Sequence, residues 1–99
     1  MKQSMYYAVY DISDDIIRTR TIQILKDAGF TRIQKSVFCG KISGQQKKDV
    51  IENVKNIIPR DEDSFYLLLA CTKCFGRITI VGKGFDKEYV SNDKSSIVL

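Results

Sequence analysis

Helical periodicity appears twice in this 99-residue chain, over residues 14–29 and 43–58, each time between strand-length apolar runs. Each amphipathic helix has one stripe to bury, and a sheet shared by both is the simplest surface that buries them. In the first helix Ile17, Thr21, Ile24, Leu25 and Ala28 fall at i, i+4, i+7, i+8 and i+11, which is one face. Asp14 and Asp15 open it where the helix dipole favours negative charge, and Gly29 suits its end. In the second, Val50, Ile51, Val54, Ile57 and Ile58 form the stripe, Ser43 and Gln46 make a capping-box pattern, and Pro59 follows the end.

The remaining segments read as strands. Residues 5–11 are aromatic and β-branched. Residues 31–42 carry Ile33, Val37 and Phe38 as apolar points with Gly40 at a bulge or bend, and read equally as one kinked strand or a tight pair. Residues 65–71 are apolar on both faces, the pattern of a central strand. Residues 77–81 alternate, with Ile78 and Ile80 on one side, and 85–90 alternate weakly as an edge strand would. Residues 91–96 are polar, and 97–99 are an apolar terminus. The order predicts an α+β, ferredoxin-like sandwich: an antiparallel sheet with two helices on one face. It is a single domain over 1–99, with a core at about 5–82 and a C-terminal strand and tail at about 85–99. The other sheet face is left bare. A chain this short buries only roughly 60–65% of its unfolded surface, so a second protomer is the economical cover.

Absences narrow the chemistry. The chain has no His, which removes imidazole bases and His-type metal sites, and a single Pro, which removes proline-rich recognition. A net charge of +4 permits a polyanionic partner without demanding one. No apolar run approaches the roughly 20 residues of a membrane span. The N-terminus enters strand-like sequence with no signal-peptide pattern, and three Cys, an odd number, suit a reducing compartment. The expectation is a cytoplasmic protein with no membrane partner.

Tyr10-Asp11-Ile12-Ser13-Asp14-Asp15 ends the first strand on a carboxylate and puts two more in the turn. Without His, oxygen donors suit Mg²⁺, Mn²⁺ or Ca²⁺. One Asp per chain is a poor site, but a two-fold dimer would bring two copies of Asp11 to its axis. Metal held there would activate water or neutralise a phosphodiester. Asp11 also reads as a plain turn residue, and Asp14 and Asp15 as cap and dipole residues. Arg18, Arg20, Arg32 and Arg77 lie near helix and strand ends, which suits phosphate contacts or simple solvation. Lys47 and Lys48 read as a polar helix face, and Gly82-Lys83-Gly84 as a turn too short for a phosphate loop. Tyr6, Tyr7 and Tyr10 read as core or dimer packing, with stacking on RNA bases as the alternative, although the signature aromatic ribonucleoprotein strand is missing. Cys71-Thr72-Lys73-Cys74 is a CxxC between strand patterns, read as a strand-to-strand connection with two incidental thiols. A dimer-shared metal and redox chemistry are its alternatives.

The stretch from Tyr10 to Asp15, then Arg18 and Arg20, then Arg32-Ile33-Gln34-Lys35-Ser36-Val37-Phe38 with Gly40 just after, resembles the CRISPR-associated protein 2 family, the small subunit of the CRISPR spacer-acquisition complex. The resemblance covers essentially the whole chain. It implies a ferredoxin-like homodimer packed through its sheets, with the C-terminal strand crossing onto the partner. It implies a CRISPR adaptation subunit in which the dimer bridges integrase dimers and holds duplex DNA. It further implies, for some members, a Mg²⁺-dependent (or Mn²⁺-dependent) endonuclease on single-stranded RNA or double-stranded DNA. In that account Asp11 is the catalytic, metal-holding carboxylate from both protomers. Tyr10, Arg18, Arg20, Arg32 and Phe38 stand at substrate-contact positions, with Ser36 beside them. The alternative functions are a ferredoxin-like toxin endoribonuclease and a non-catalytic RNA-binding module.

Overall fold

A computed structural model of the chain describes residues 2–59, 61–77 and 79–82. Four strands, β1 (Gln3–Asp11), β2 (Thr31–Gln34), β3 (Val37–Ser43) and β4 (Ser64–Ala70), form one sheet in the order β2-β3-β1-β4. Every pairing is antiparallel. Helix α1 (Asp15–Asp27) links β1 to β2, α2 (Gly44–Lys55) links β3 to β4, and a short α3 (Thr72–Gly76) follows β4. This is the expected ferredoxin-like α+β fold. Among the described residues no helix is long and apolar enough to cross a membrane.

Local chemistry sets the helix ends. The Asp14 side chain caps α1 by accepting from the backbone N–H groups of Ile16 (2.8 Å) and Ile17 (3.0 Å). At the other end Phe30 N donates to Leu25 O and Gly29 N to Lys26 O, both 3.0 Å, a Schellman closure. It needs the left-handed backbone that Gly29 supplies at φ 93°. Ser43 and Gln46 complete the anticipated capping box on α2.

The sheet sorts side chains by alternation. Ala8 and Tyr10 of β1, with Phe38 and Ile42 of β3, face the helices and join Leu25, Phe30, Val50 and Val54 in the core. Within the second-helix stripe Val50 and Val54 are buried, while Ile51, Ile57 and Ile58 are half-buried. Tyr7 and Val9 face the other way, and Met5 and Cys39 form a smaller buried cluster on that side.

Four expectations are resolved or corrected. Residues 31–42 are the tight pair: β2 and β3 meet at Lys35 and Ser36, with the register shift between Arg32 and Gln34. Gly40 is therefore not the bulge. It pairs regularly with Tyr6, and its missing side chain admits Phe30, whose Cα and Cγ would lie 3.0 Å from a Cβ there. The segment read as a central strand is β4, which stands at the sheet edge among the described residues. Its two-sided apolarity leaves Tyr66 56%, Leu68 50% and Leu69 69% exposed. The strand expected at 77–81 is absent from the described residues there, and its place after β4 is taken by α3. An alternating pattern becomes a strand only where a neighbour completes its ladder. The strand and tail expected at 85–99 lie outside the described residues.

Candidate functional site

Strand β1 delivers Asp11 to the end of the sheet. Alternation through Met5, Tyr7 and Val9 puts it on the face that α1 and α2 do not cover. It is exposed, and no ion pair to its carboxylate is formed among the described residues. Across the ladder it stands opposite Ser64, the first residue of β4. On its other flank Tyr10 N donates to Ser36 O at 3.1 Å, which holds the β2–β3 turn against the end of β1.

The candidate substrate residues fall into distinct groups. Arg18 reaches back from the first turn of α1. Its Nη1 donates to Ile12 O (2.9 Å) and Ser13 O (3.4 Å), and its Nη2 pairs with Asp15. It braces the loop that immediately follows Asp11. Arg32 lies over the Phe38 ring, 5.6 Å from its centroid, and its Nη2 donates to Lys35 O at 2.8 Å. Tyr10 Oη donates to the same carbonyl at 3.2 Å. Tyr10 (3% exposed) and Phe38 (0%) are thus core residues that support the turn from beneath, while Arg32 is its exposed rim. Ser36 sits half-buried in the turn itself. Arg20 is elsewhere. It lines a shallow cleft with Gln23, Asp27, Asn53 and Asn56, built from α1, α2 and the residues just after α2, without a strand residue.

Asp63 was not singled out by sequence. It accepts from Ser13 N at 3.3 Å and so ties the start of β4 to the loop after Asp11. The acidic run Asp61-Glu62-Asp63 before an apolar strand was the available signal. Only antiparallel pairing of β1 with β4 makes residues fifty apart into neighbours. Among the described residues no three His, Cys, Asp or Glu side chains gather as a metal cluster.

A second concavity, about 620 Å³, runs between α2 and β4. It is lined by Ile51, Val54, Ile58, Phe65 and Leu67, with Lys47 at its rim, and it reaches Asp63 and Ser64.

Fold and site together define a small ferredoxin-like protein with an exposed carboxylate at the end of the sheet face that α1 and α2 leave open. The sequence profile of the family described as CRISPR associated protein Cas2 matches residues 4–78. The chain belongs to that family. It is 35% identical over 78 residues to the CRISPR-associated endoribonuclease Cas2 of Korarchaeum cryptofilum, covering 77% of this chain and 82% of the relative. A crystal structure of cas2 superposes with a TM-score of 0.71 at 25% identity, over 84% of this chain and 91% of that one. A hypothetical protein from Thermus thermophilus gives a TM-score of 0.73 at 24% identity, over 83% and 94%, a likeness of fold.

Proposed function

We propose that the protein is a homodimeric CRISPR adaptation subunit that grips duplex DNA through its phosphates, joins the CRISPR integrase, and carries a metal-dependent phosphodiesterase site at paired Asp11 carboxylates. The observation that carries this reading is the position of Asp11: exposed, and on the same open face as Tyr7, Val9, Tyr66 and Leu68. Covering that apolar face with a second copy across a two-fold axis brings the two sheet ends into one assembly.

The donor set suits a hard cation. Among the described residues the metal donors at this end of the sheet are oxygens, in Asp11 and its ladder neighbour Ser64, while the thiols belong to β3 and the α3 region. Asp11 of each protomer would hold Mg²⁺ or Mn²⁺, which supplies a water of lowered pKa and charge neutralisation at phosphorus. The chain's own groups do the positioning. Arg18 keeps the loop after Asp11 in place, and the Tyr10–Arg32–Lys35 contacts present the Ser36 turn and the Arg32 guanidinium beside it. Arg32 is the exposed cation placed to meet a phosphate there. The relative's name supports RNA as a substrate, and duplex DNA as the bound ligand comes from the family resemblance.

The deciding measurement is cleavage of single-stranded RNA and duplex DNA by Asp11→Asn with Mg²⁺ present. Cleavage should be lost while dimerisation and DNA binding persist. Cleavage that survives the substitution overturns the catalytic part. DNA binding that is independent of salt, or failure to co-purify with the integrase, overturns the adaptation part.

A further inference from the structure

The fold gives the CxxC a setting different from a plain connection. Cys71 directly precedes α3, and Cys74 falls inside that helical turn. This spacing puts the two side chains in hydrogen-bonding contact, and the Cys71 sulfur also accepts from the backbone N–H groups of Cys74 and Lys73. Both thiols are exposed, whereas Cys39 is buried within β3. They stand apart from Asp11: Ala70, the last residue of β4, pairs with Met5, at the opposite end of β1.

We propose that Cys71 and Cys74 are a dithiol–disulfide couple, with Cys71 the attacking sulfur, Cys74 the resolving sulfur, and a low-molecular-weight disulfide RSSR the oxidant. The Cys71 thiolate attacks one sulfur of RSSR. A Cys71–S–S–R bond forms, the RS–SR bond breaks, and RS⁻ leaves to take a proton from solvent. Cys74 then gives its proton to solvent and attacks Cys71 Sγ. The intramolecular disulfide forms and the second RS⁻ departs. Two electrons pass from the protein to the oxidant, and two RSH are released.

The contacts assign the order of the two sulfurs. The backbone N–H of Cys74, then that of Lys73, then the Cys74 thiol hold Cys71 below its ordinary value. Donating that hydrogen bond, together with repulsion from the Cys71 thiolate, raises Cys74. Burial pushes Cys39 up to about 12, which keeps it out of the exchange.

The test uses the full chain in glutathione redox buffers, quenched by acid, then alkylated and mapped by mass spectrometry. The native protein should lose two hydrogens, with one disulfide joining Cys71 to Cys74 and Cys39 alkylated only after denaturation. Cys74→Ser should stop at a glutathione adduct on Cys71, formed at a rate that persists below the ordinary thiol pKa of 9.0. Cys71→Ser should slow the first step at neutral pH by about tenfold, as expected for a thiol whose pKa is not lowered. A first adduct on Cys74, a disulfide that includes Cys39 or joins two chains, or stoichiometric zinc that shields the pair from oxidant would each overturn the proposal.

Discussion

Asp11 is set apart from its acidic neighbours: among the described residues no side-chain hydrogen bond or ion pair engages its carboxylate. Asp14 caps α1, Asp15 pairs with Arg18, and Asp63 holds the Ser13 N–H. Removing each should therefore have a different signature. Asp14→Ala should cost about 1 kcal/mol in urea unfolding through the lost cap. Asp11→Asn should leave stability within about 0.5 kcal/mol of the parent, as surface changes do, and act only on cleavage. Gly40→Ala should destabilise by about 1–3 kcal/mol, because its Cβ would meet Phe30 at 3.0 Å and one of the two atoms met is backbone Cα. The cap and the Gly29 end were legible in sequence, since their partners lie within a few residues. The Gly40–Phe30 contact was not, because it joins a strand to the residue that closes a helix.

Among the elements, the β2–β3 hairpin ties the most candidate residues together. The Lys35 carbonyl accepts from both Tyr10 and Arg32, and the Ser36 carbonyl from the Tyr10 backbone, so β1 and β2 jointly hold the turn. Tyr10→Phe removes one of these bonds and should cost about 0.5–1.5 kcal/mol, with proteolysis at 35–36 accelerating before global unfolding. Strand β3 carries a pH dependence of its own. Cys39 ionises near 9.0 when unfolded and only near 12 when buried, so the folded state retains its proton longer. Stability is complete below pH 9 and falls as pH rises from 9 toward 12, by up to about 1.4 kcal/mol per pH unit for the one proton. Burial also raises Tyr7, which adds in the same direction from about pH 10. Cys39→Ala should flatten the urea-midpoint profile between pH 8.5 and 10, measured against the parent. The sequence showed strand content over 31–42 without deciding between one strand and two. The turn is held in part by hydrogen bonds from Tyr10 of β1, which no local pattern contains.

For the whole molecule, the question is what covers the open face. Its apolar side chains, Tyr66 and Leu68 foremost, are what a second copy would bury. Leu68→Glu should give a monomer by sedimentation with unchanged far-ultraviolet circular dichroism. On the proposed reading it should also lose cleavage, although Asp11 is untouched. DNA affinity should fall linearly with salt on logarithmic axes, with a slope set by the number of phosphates engaged.

Read alone, the chain determined the two longer helices, their end residues and the alternation of strands and helices from β1 to β4, because periodicity and end signals act over short stretches of chain. The tertiary structure decided the rest. It put β4 at an edge among the described residues, Tyr10 and Phe38 in the core, Arg18 behind the Asp11 loop and Arg20 away from it. It also gave the CxxC a helical turn where alternation suggested a strand connection. Each of these depends on which surfaces meet across the sheet, and burial is a property of the partner surface as much as of the residue.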